Sequence, residues 1–211
     1  MTRTTRGRER RCGSAEGEVT VPSKELATVR SKETTMFGFG SKKKQNEVTI
    51  RDVQLQDIAF VLDLNEVNVE VLSPMDEHKF FYFVDHSDMF QIAEVDGAPA
   101  AFLIALREGL EDYTSENYIW FSKQYEQFLY VDRIVIDEKF RGCGLGRRIY
   151  EGVFEQARQE GVRVVTAEID IIPYNEPSLK FHEAMGFAEV GQQVIRGGEI
   201  KVSLQATLAD E

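Results

Sequence analysis

The chain has 211 residues, of which 42% are hydrophobic, a fraction typical of a globular protein with its own core. Its formal net charge of −11 is unevenly spread, since residues 1–46 carry +6 and residues 47–211 carry −17. The acidic body argues against nucleic acid as the main partner, and no apolar run approaches the ~18–20 residues that a membrane span requires.

Cysteine and histidine are sparse. The two cysteines, Cys12 and Cys143, lie in different kinds of segment and form no disulfide framework. The histidines His78, His86 and His182 are too scattered to suggest zinc. We therefore expect no metal, and this cysteine usage favours a reducing, cytoplasmic location.

Residues 1–46 are predicted to be a disordered basic leader, because they are polar, charged and rich in Gly and Ser. Met36 opens the stretch MFGFGSKKK and is an alternative start of the chain. The N-terminus lacks the apolar region of a signal peptide, and five glutamates disfavour a transit peptide. Residues 47–211 form the predicted domain.

The first half of this domain alternates between strand and helix patterns. A strand is predicted in EVTIRDV and a helix in LQDIAFVLDLNEV. Ser73–Glu77 predicts a second helix start with Ser73 as its N-cap, followed by phenylalanines of the core at 80, 81 and 83. Two strands are then joined by the hairpin signal Asp96-Gly97. Residues 107–126 are predicted to be a long, irregular, acidic and aromatic loop.

The second half predicts strand, helix, strand, short helix and two final strands. The long helix begins near Leu145 and ends at Gly161, and the short helix ends at Gly186. The last two strands flank a turn at 196–198. A strand–helix–strand unit between residues 128 and 170 implies a parallel or mixed strand pair covered by helices. The predicted fold class is therefore α/β (α+β).

The turn before the long helix reads RGCGLGRR, from Arg141 to Arg148. It fails the dinucleotide pattern because Arg147 stands at the third glycine position, and it also lacks the Lys-Ser/Thr of a Walker loop. Arginines in a first helical turn lie at the wrong end of the helix dipole unless an anion is present. Backbone N–H groups freed by glycine can bind that anion. The alternative is a plain turn whose arginines point into water.

Two stretches resemble motifs of the GNAT N-acetyltransferase superfamily. IVIDEKFRGCGLGRRIY is similar to its acetyl-CoA motif in the Arg-Gly-x-Gly-x-Gly form. NEPSLKFHEAMGF resembles its second block, and the element order from Glu47 onward also fits. Within the superfamily, LYVDRIVI and the segment before it are similar to a group of bacterial acetyltransferases whose substrate is not settled.

The resemblance implies a mixed, mostly antiparallel sheet with a splayed central parallel pair, flanked by helices, and acetyl-CoA as cosubstrate. Backbone groups around the splayed strand would bind the pantetheine arm, and the glycine turn would hold the pyrophosphate. A short helix would line the same ligand from the other side. These implied cofactor-binding residues are Ile134, Val135, Ile136, Arg141, Gly142, Cys143, Gly144, Leu145, Gly146, Arg147, Asn175 and Ser178.

Two residues are candidates for the chemistry. His182 stands where the family pattern usually has Tyr, and it shares a helix face with Asn175 and Ser178, so it is a candidate acid for the departing thiolate. The alternative is a solvated histidine that only touches the cofactor. Glu168 is the candidate base, and the alternative is a salt-bridged glutamate. Tyr130 and Asp132 share one face of the preceding strand and would border the substrate, unless Asp132 pairs with Arg133 or Arg163.

The predicted function is transfer of acetyl from acetyl-CoA to a primary amine, directly and in a ternary complex. The acidic residues of the 107–126 segment predict a cationic acceptor, with Tyr113, Tyr118 and Trp120 available for stacking or cation–π contact. The alternative for these rings is packing onto the domain. A non-catalytic acyl-CoA-binding sensor or partner module is the rival function, because position 182 lacks the usual Tyr. Relatives of the superfamily commonly dimerise, so a homodimer is an open alternative to a monomer.

Overall fold

The computed structural model describes residues 46–70 and 72–210. All but the last residue of the predicted leader, and with it Met36, lies outside these described residues. The described part contains seven strands and five α-helices. The strands are β1 (Val48–Asp52), β2 (Met89–Val95), β3 (Ala98–Arg107), β4 (Leu129–Ile136), β5 (Val164–Ile172), β6 (Ala188–Ile195) and β7 (Ile200–Leu208). The helices are α1 (Ile58–Val67), α2 (Glu77–His86), α3 (Glu116–Gln124), α4 (Leu145–Gln159) and α5 (Glu176–Ala184).

The strands form one sheet in the order β1-β2-β3-β4-β5-β7-β6. Every neighbouring pair is antiparallel except β4 and β5, which are parallel. Their pairing stops after three residues, with Val131 opposite Ala167. Beyond that point β4 stays paired with β3, and β5 stays paired with β7. The two strands therefore separate in the middle of the sheet, which confirms the predicted splayed parallel pair.

Helices cover both faces of this sheet. The first three helices pack on one face, where Val61, Phe83 and Phe121 belong to one buried cluster. The last two helices pack on the opposite face, where Ile149 of α4 belongs to a second buried cluster and Phe181 of α5 packs against it. The strand separation between β4 and β5 thus has helices on either side of it, a common setting for a ligand cleft.

The start of α2 differs from its prediction. The helix begins at Glu77, and its N-cap is Asp76, whose side chain accepts from the backbone N–H of Lys79. Ser73 lies upstream of the helix, and its hydroxyl accepts hydrogen bonds from Lys79 Nζ (2.7 Å) and Arg133 Nη2 (3.0 Å). The predicted N-cap was therefore wrong, because Asp76 provides the same capping chemistry three residues later.

The predicted loop 107–126 was also wrong in part. Residues 116–124 form α3, which begins after Ser115, the residue that caps it through the backbone N–H of Tyr118. The prediction of core packing for the phenylalanines of α2 holds for Phe80 and Phe83, which are fully buried, whereas Phe81 is 41% exposed.

Candidate active site

A cavity of about 830 Å³ opens where β4 and β5 separate. The two strands, the segment before α2, the segment before α3, and helices α4 and α5 all contribute to its wall. The polar wall residues include Asp76, His78, Lys79, Asp112, Tyr113, Glu116, Asp132, Arg133, Tyr150, Glu168, Asp170, Asn175, Ser178, His182 and Arg196.

Glu168 lies on β5, one residue beyond the last paired position with β4. Its Oε1 atom accepts a hydrogen bond of 2.8 Å from the Tyr130 hydroxyl. Its Oε2 atom is buried and has no hydrogen-bond partner in residues 46–70 and 72–210. Burial, with the nearby Asp132 carboxylate, raises the pKa of Glu168 to about 8. A carboxyl with this pKa is suited to taking a proton near neutral pH.

The salt-bridged alternative for Glu168 is wrong, because no ion pair forms at this side chain in the described part of the chain. Asp132 instead forms the ion pair, with Arg133 at 2.7 Å. Asp132 also accepts a hydrogen bond from the Tyr113 hydroxyl. The guanidinium of Arg133 extends further, to Oδ1 of Asn65 at 2.7 Å, and so ties α1 to β4.

His182 is 5% exposed, so its interpretation as a solvated histidine was wrong. Its Nδ1 lies 2.8 Å from the carbonyl oxygen of Ser178, and its Nε2 lies 2.7 Å from the hydroxyl of Tyr150. Burial lowers the pKa of His182, and the Ser178 carbonyl opposes this effect. Both ring nitrogens are therefore occupied by protein partners, and Tyr150 is a polar residue of the site that sequence reasoning missed.

The glycine turn has the open backbone that an anion site requires. Gly142 and Gly144 have φ of 75° and 83°, and a Cβ at either would meet no atom within 4 Å. Gly146 is constrained by packing instead, since a Cβ there would lie 3.2 Å from the Phe181 ring. Arg141 is exposed, and its Nε donates to the carbonyl oxygen of Ile136 at 3.2 Å.

The predicted cofactor-binding residues fall into two neighbouring groups. Ile134, Asn175 and Ser178 line the cavity together with the catalytic candidates. The turn from Arg141 to Arg147 lies outside the cavity wall, as do Val135 and Ile136. The turn nevertheless adjoins the cavity-lining helix α5, since Gly146 packs against Phe181 of that helix.

The aromatic residues of segment 107–126 pack onto the domain. Tyr118 is 2% exposed and donates its hydroxyl hydrogen to the carbonyl oxygen of Arg107 at 2.7 Å. Trp120 packs against Gly191 of β6. Only Tyr113 of the three rings lines the cavity, and it is buried. The prediction that these rings stack on an acceptor was therefore wrong for Tyr118 and Trp120.

Three further sequence features can be placed within the described residues. No helix there is long and apolar enough to cross a membrane. No group of three or more His, Cys, Asp or Glu side chains in residues 46–70 and 72–210 could hold a metal ion. Cys143 is exposed in the glycine turn, with its Sγ 2.8 Å from the carbonyl oxygen of Phe140.

A splayed parallel pair, a cavity where its two strands separate, and a glycine turn that opens helix α4 define the class of the fold as that of the acetyltransferases. The model of the Acetyltransferase (GNAT) family matches residues 58–187. The chain belongs to this family, whose matched region runs from the start of α1 to the end of the second motif.

The chain is similar to an uncharacterised N-acetyltransferase of Methanocaldococcus jannaschii, with 25% identity over 111 residues. That match spans 52% of this chain and 42%, less than half, of the relative. Among solved structures, Arabidopsis thaliana NAA60 in complex with a bisubstrate analogue has a TM-score of 0.61 at 15% identity, over 77% of this chain and 98% of the other. The yncA protein of Salmonella typhimurium with acetyl-CoA has a TM-score of 0.58 at 17% identity, over 78% of this chain and 95% of the other.

Proposed function

We propose that this protein transfers an acetyl group from acetyl-CoA to a primary amine, directly and in a ternary complex. The observation that carries the proposal is the position of Glu168 in the cavity at the strand separation, with a pKa of about 8. A base at this point can take a proton from an amine held in the cavity. The similarity in fold to proteins solved with acetyl-CoA and with a bisubstrate analogue supports a site that accommodates both substrates together.

The residues present fit the proposed cosubstrate. The exposed side of the turn at Gly142 and Gly144 leaves room for a phosphate, and Arg141 and Arg147 are exposed beside it. The turn opens α4, a helix of 15 residues, so its free N–H groups and dipole favour an anion. Bound acetyl-CoA supplies the thioester, and the chain supplies the anion site, the base and the cavity.

The acceptor is a cationic amine in this proposal. Six carboxyl side chains line the cavity against three Lys or Arg side chains. Two of the three cations already have partners, because Arg133 pairs with Asp132 and the Lys79 ammonium donates to Ser73. Asp112 and Glu116 lie exposed at the rim, where they attract a positively charged molecule.

An acceptor screen with thiol detection tests the proposed function. Amines that differ in charge are incubated with the protein and acetyl-CoA, and release of free CoA is recorded. Release with a cationic amine, and acetylation of that amine by mass spectrometry, is the expected result. Binding of acetyl-CoA without thiol release in the presence of any amine would instead favour the non-catalytic acyl-CoA-binding module.

A further inference from the structure

Tyr150 of α4 and His182 of α5 form a buried polar pair in the cavity wall. Their exposed fractions are 0% and 5%, and the phenolic oxygen lies 2.7 Å from Nε2 of the imidazole. The rings of Phe181 and Phe187 stand edge-on to the imidazole, with centroids 5.3 and 5.2 Å away. Because buried polar atoms need hydrogen-bond partners, the surroundings determine where the protons of this pair lie.

The partner of Nδ1 decides which nitrogen of His182 carries a proton. Nδ1 lies 2.8 Å from the Ser178 carbonyl oxygen, which can only accept, so Nδ1 is the donor. In the neutral imidazole, Nε2 then accepts the hydroxyl hydrogen of Tyr150. In the imidazolium, Nε2 donates to the phenolic oxygen instead, and the phenolic hydrogen becomes free for an acceptor in the cavity.

We propose that Tyr150 is the catalytic acid that protonates the departing thiolate, and that His182 positions and reprotonates it. This assignment rests on the acetyl transfer proposed above. As the amine nitrogen bonds to the acetyl carbon, the C–S bond breaks and its electron pair stays on sulfur. The sulfur takes the phenolic proton of Tyr150, while Nε2 of the imidazolium gives its proton to the phenolic oxygen. The neutral pair then regains one proton from water, and Glu168 releases the proton that it took from the amine.

His182 is not the direct donor, because Tyr150 occupies its Nε2 and the Ser178 carbonyl occupies its Nδ1. Burial, with the charge of Glu168 on the neighbouring strand, raises the pKa of Tyr150, so its phenol keeps its proton at ordinary pH. Burial lowers the pKa of His182, which makes its imidazolium the stronger acid. Protons therefore move in the direction from His182 through Tyr150 to sulfur.

The first test compares Tyr150→Phe with Phe154→Leu. Phe154 contacts Tyr150 with ring centroids 5.9 Å apart, so its variant disturbs the same aromatic cluster and retains the phenol. Single-turnover acetyl transfer is measured with an acceptor from the screen, alongside acetyl-CoA affinity and Tm. We expect Tyr150→Phe to lower the rate roughly 10²-fold at pH 5 with unchanged affinity, and Phe154→Leu to stay within about twofold. A Tyr150→Phe protein with the wild-type rate would overturn the assignment.

The pH dependence separates catalysis from packing. The ionisation of the amine and of Glu168 affects wild type and Tyr150→Phe alike, so it cancels in the ratio of their rates. The wild-type rate divided by the Tyr150→Phe rate is expected to fall as pH rises through the lowered pKa of His182. The imidazolium that returns a proton to Tyr150 is then lost. A ratio that is constant from pH 4.5 to pH 8 indicates a packing role and contradicts the proposal.

Moving the phenol to the other helix provides a rescue experiment. Tyr150→Leu removes the phenol, and adding His182→Tyr supplies one from α5 in the space that the leucine leaves open. The folded double variant should be at least about tenfold faster than Tyr150→Leu alone, and equal rates would overturn the role of the phenol. A wild-type protein that acetylates no amine refutes the proposed function, whereas an active wild type with an equally active Tyr150→Phe variant refutes only the acid.

Discussion

The hydroxyl of Tyr130 donates a 2.8 Å hydrogen bond to Glu168 across the last paired positions of β4 and β5. The bond spans the point where the two strands separate, so it fixes the carboxyl at the edge of the cavity. It also opposes the rise in pKa that burial and Asp132 cause at Glu168. The pKa of about 8 is therefore the balance of desolvation and repulsion, which raise it, against hydrogen bonds that lower it, of which the bond from Tyr130 has the largest effect.

Glu168→Gln is expected to lower kcat by roughly 10²-fold or more, because the amide keeps the shape of the side chain and loses the base. The loss should grow with pH and level off above pH 8, since the wild-type carboxyl gains its basic form as pH rises through its pKa of about 8. The ratio of wild-type to variant kcat, measured from pH 6 to pH 10, checks this. Glu189→Gln is the control, because Glu189 accepts from Ser203 outside the cavity wall.

The same carboxyl makes stability depend on pH. Its pKa rises on folding from 4.5 to about 8, so between these values the folded protein binds more protons than the unfolded chain. The contribution of Glu168 to stability is therefore lost progressively as pH rises from about 4.5 to about 8. Glu168→Gln should match the wild-type Tm at pH 4 and exceed it by a few degrees at pH 9. A Tm difference that does not vary with pH would contradict the raised pKa.

The glycine turn is tested through ligand-dependent stability. A ligand at 100 times its Kd adds about 2.7 kcal/mol to the free energy of unfolding, so acetyl-CoA should raise Tm measurably. Gly144→Glu should abolish this gain, because it places a carboxylate where a phosphate would bind. Gly144→Ala is the matched control, since it shares the backbone strain at a φ of 83° and adds no charge. An undiminished Tm gain in Gly144→Glu would exclude the turn from binding.

Contact between α3 and β6 predicts an overpacking effect. A Cβ on Gly191 would lie 2.8 Å from Cζ2 of Trp120, too close for the ring to stay in place. Gly191→Ala should lower stability by about 1–3 kcal/mol, and Tm by about 2–4 °C per kcal/mol. Gly152→Ala in α4 should instead raise stability by about 0.5–1 kcal/mol, because its Cβ would meet no atom within 4 Å. Equal Tm values for the two variants would refute this packing argument.

The sequence predicted the elements whose signals are local. The alternating pattern of the strands, the Asp96-Gly97 hairpin and the apolar stripe of α4 each depend on residues that are close together in the sequence. The sequence did not predict helix α3, because this helix is stabilised by contacts with aromatic residues outside its own segment. Tyr118 packs on Phe128, and Phe121 packs on Tyr130, in contacts that the short helix pattern does not reveal. Tertiary packing thus decided the structure of a segment whose composition is typical of a loop.

The candidate site was predictable where a motif or a strand end marked it. Glu168 and His182 belong to such positions, and the structure brings both to one cavity. Tyr150 follows Ile149 in the buried stripe of α4, a pattern that indicates core rather than chemistry. The hydrogen bond between Arg133 and Asn65 joins residues 68 positions apart, so the local hydrophobic periodicity of the sequence cannot predict it.

The acidic rim leads to a prediction about the acceptor. Asp112 and Glu116 are exposed and line the cavity, whereas Glu111, from the same segment, is exposed but lies outside the cavity wall. At about 0.5 kcal/mol per exposed charge, Asp112→Asn with Glu116→Gln should raise the KM of a cationic acceptor roughly fivefold at low salt. Salt screens the same attraction in the wild type, so the variant should also show a flatter dependence of KM on ionic strength. The KM of acetyl-CoA should not change, and Glu111→Gln should behave as wild type. If the screen finds an anionic acceptor, or if Glu111→Gln raises KM as much as the rim variant, the rim does not recognise the acceptor.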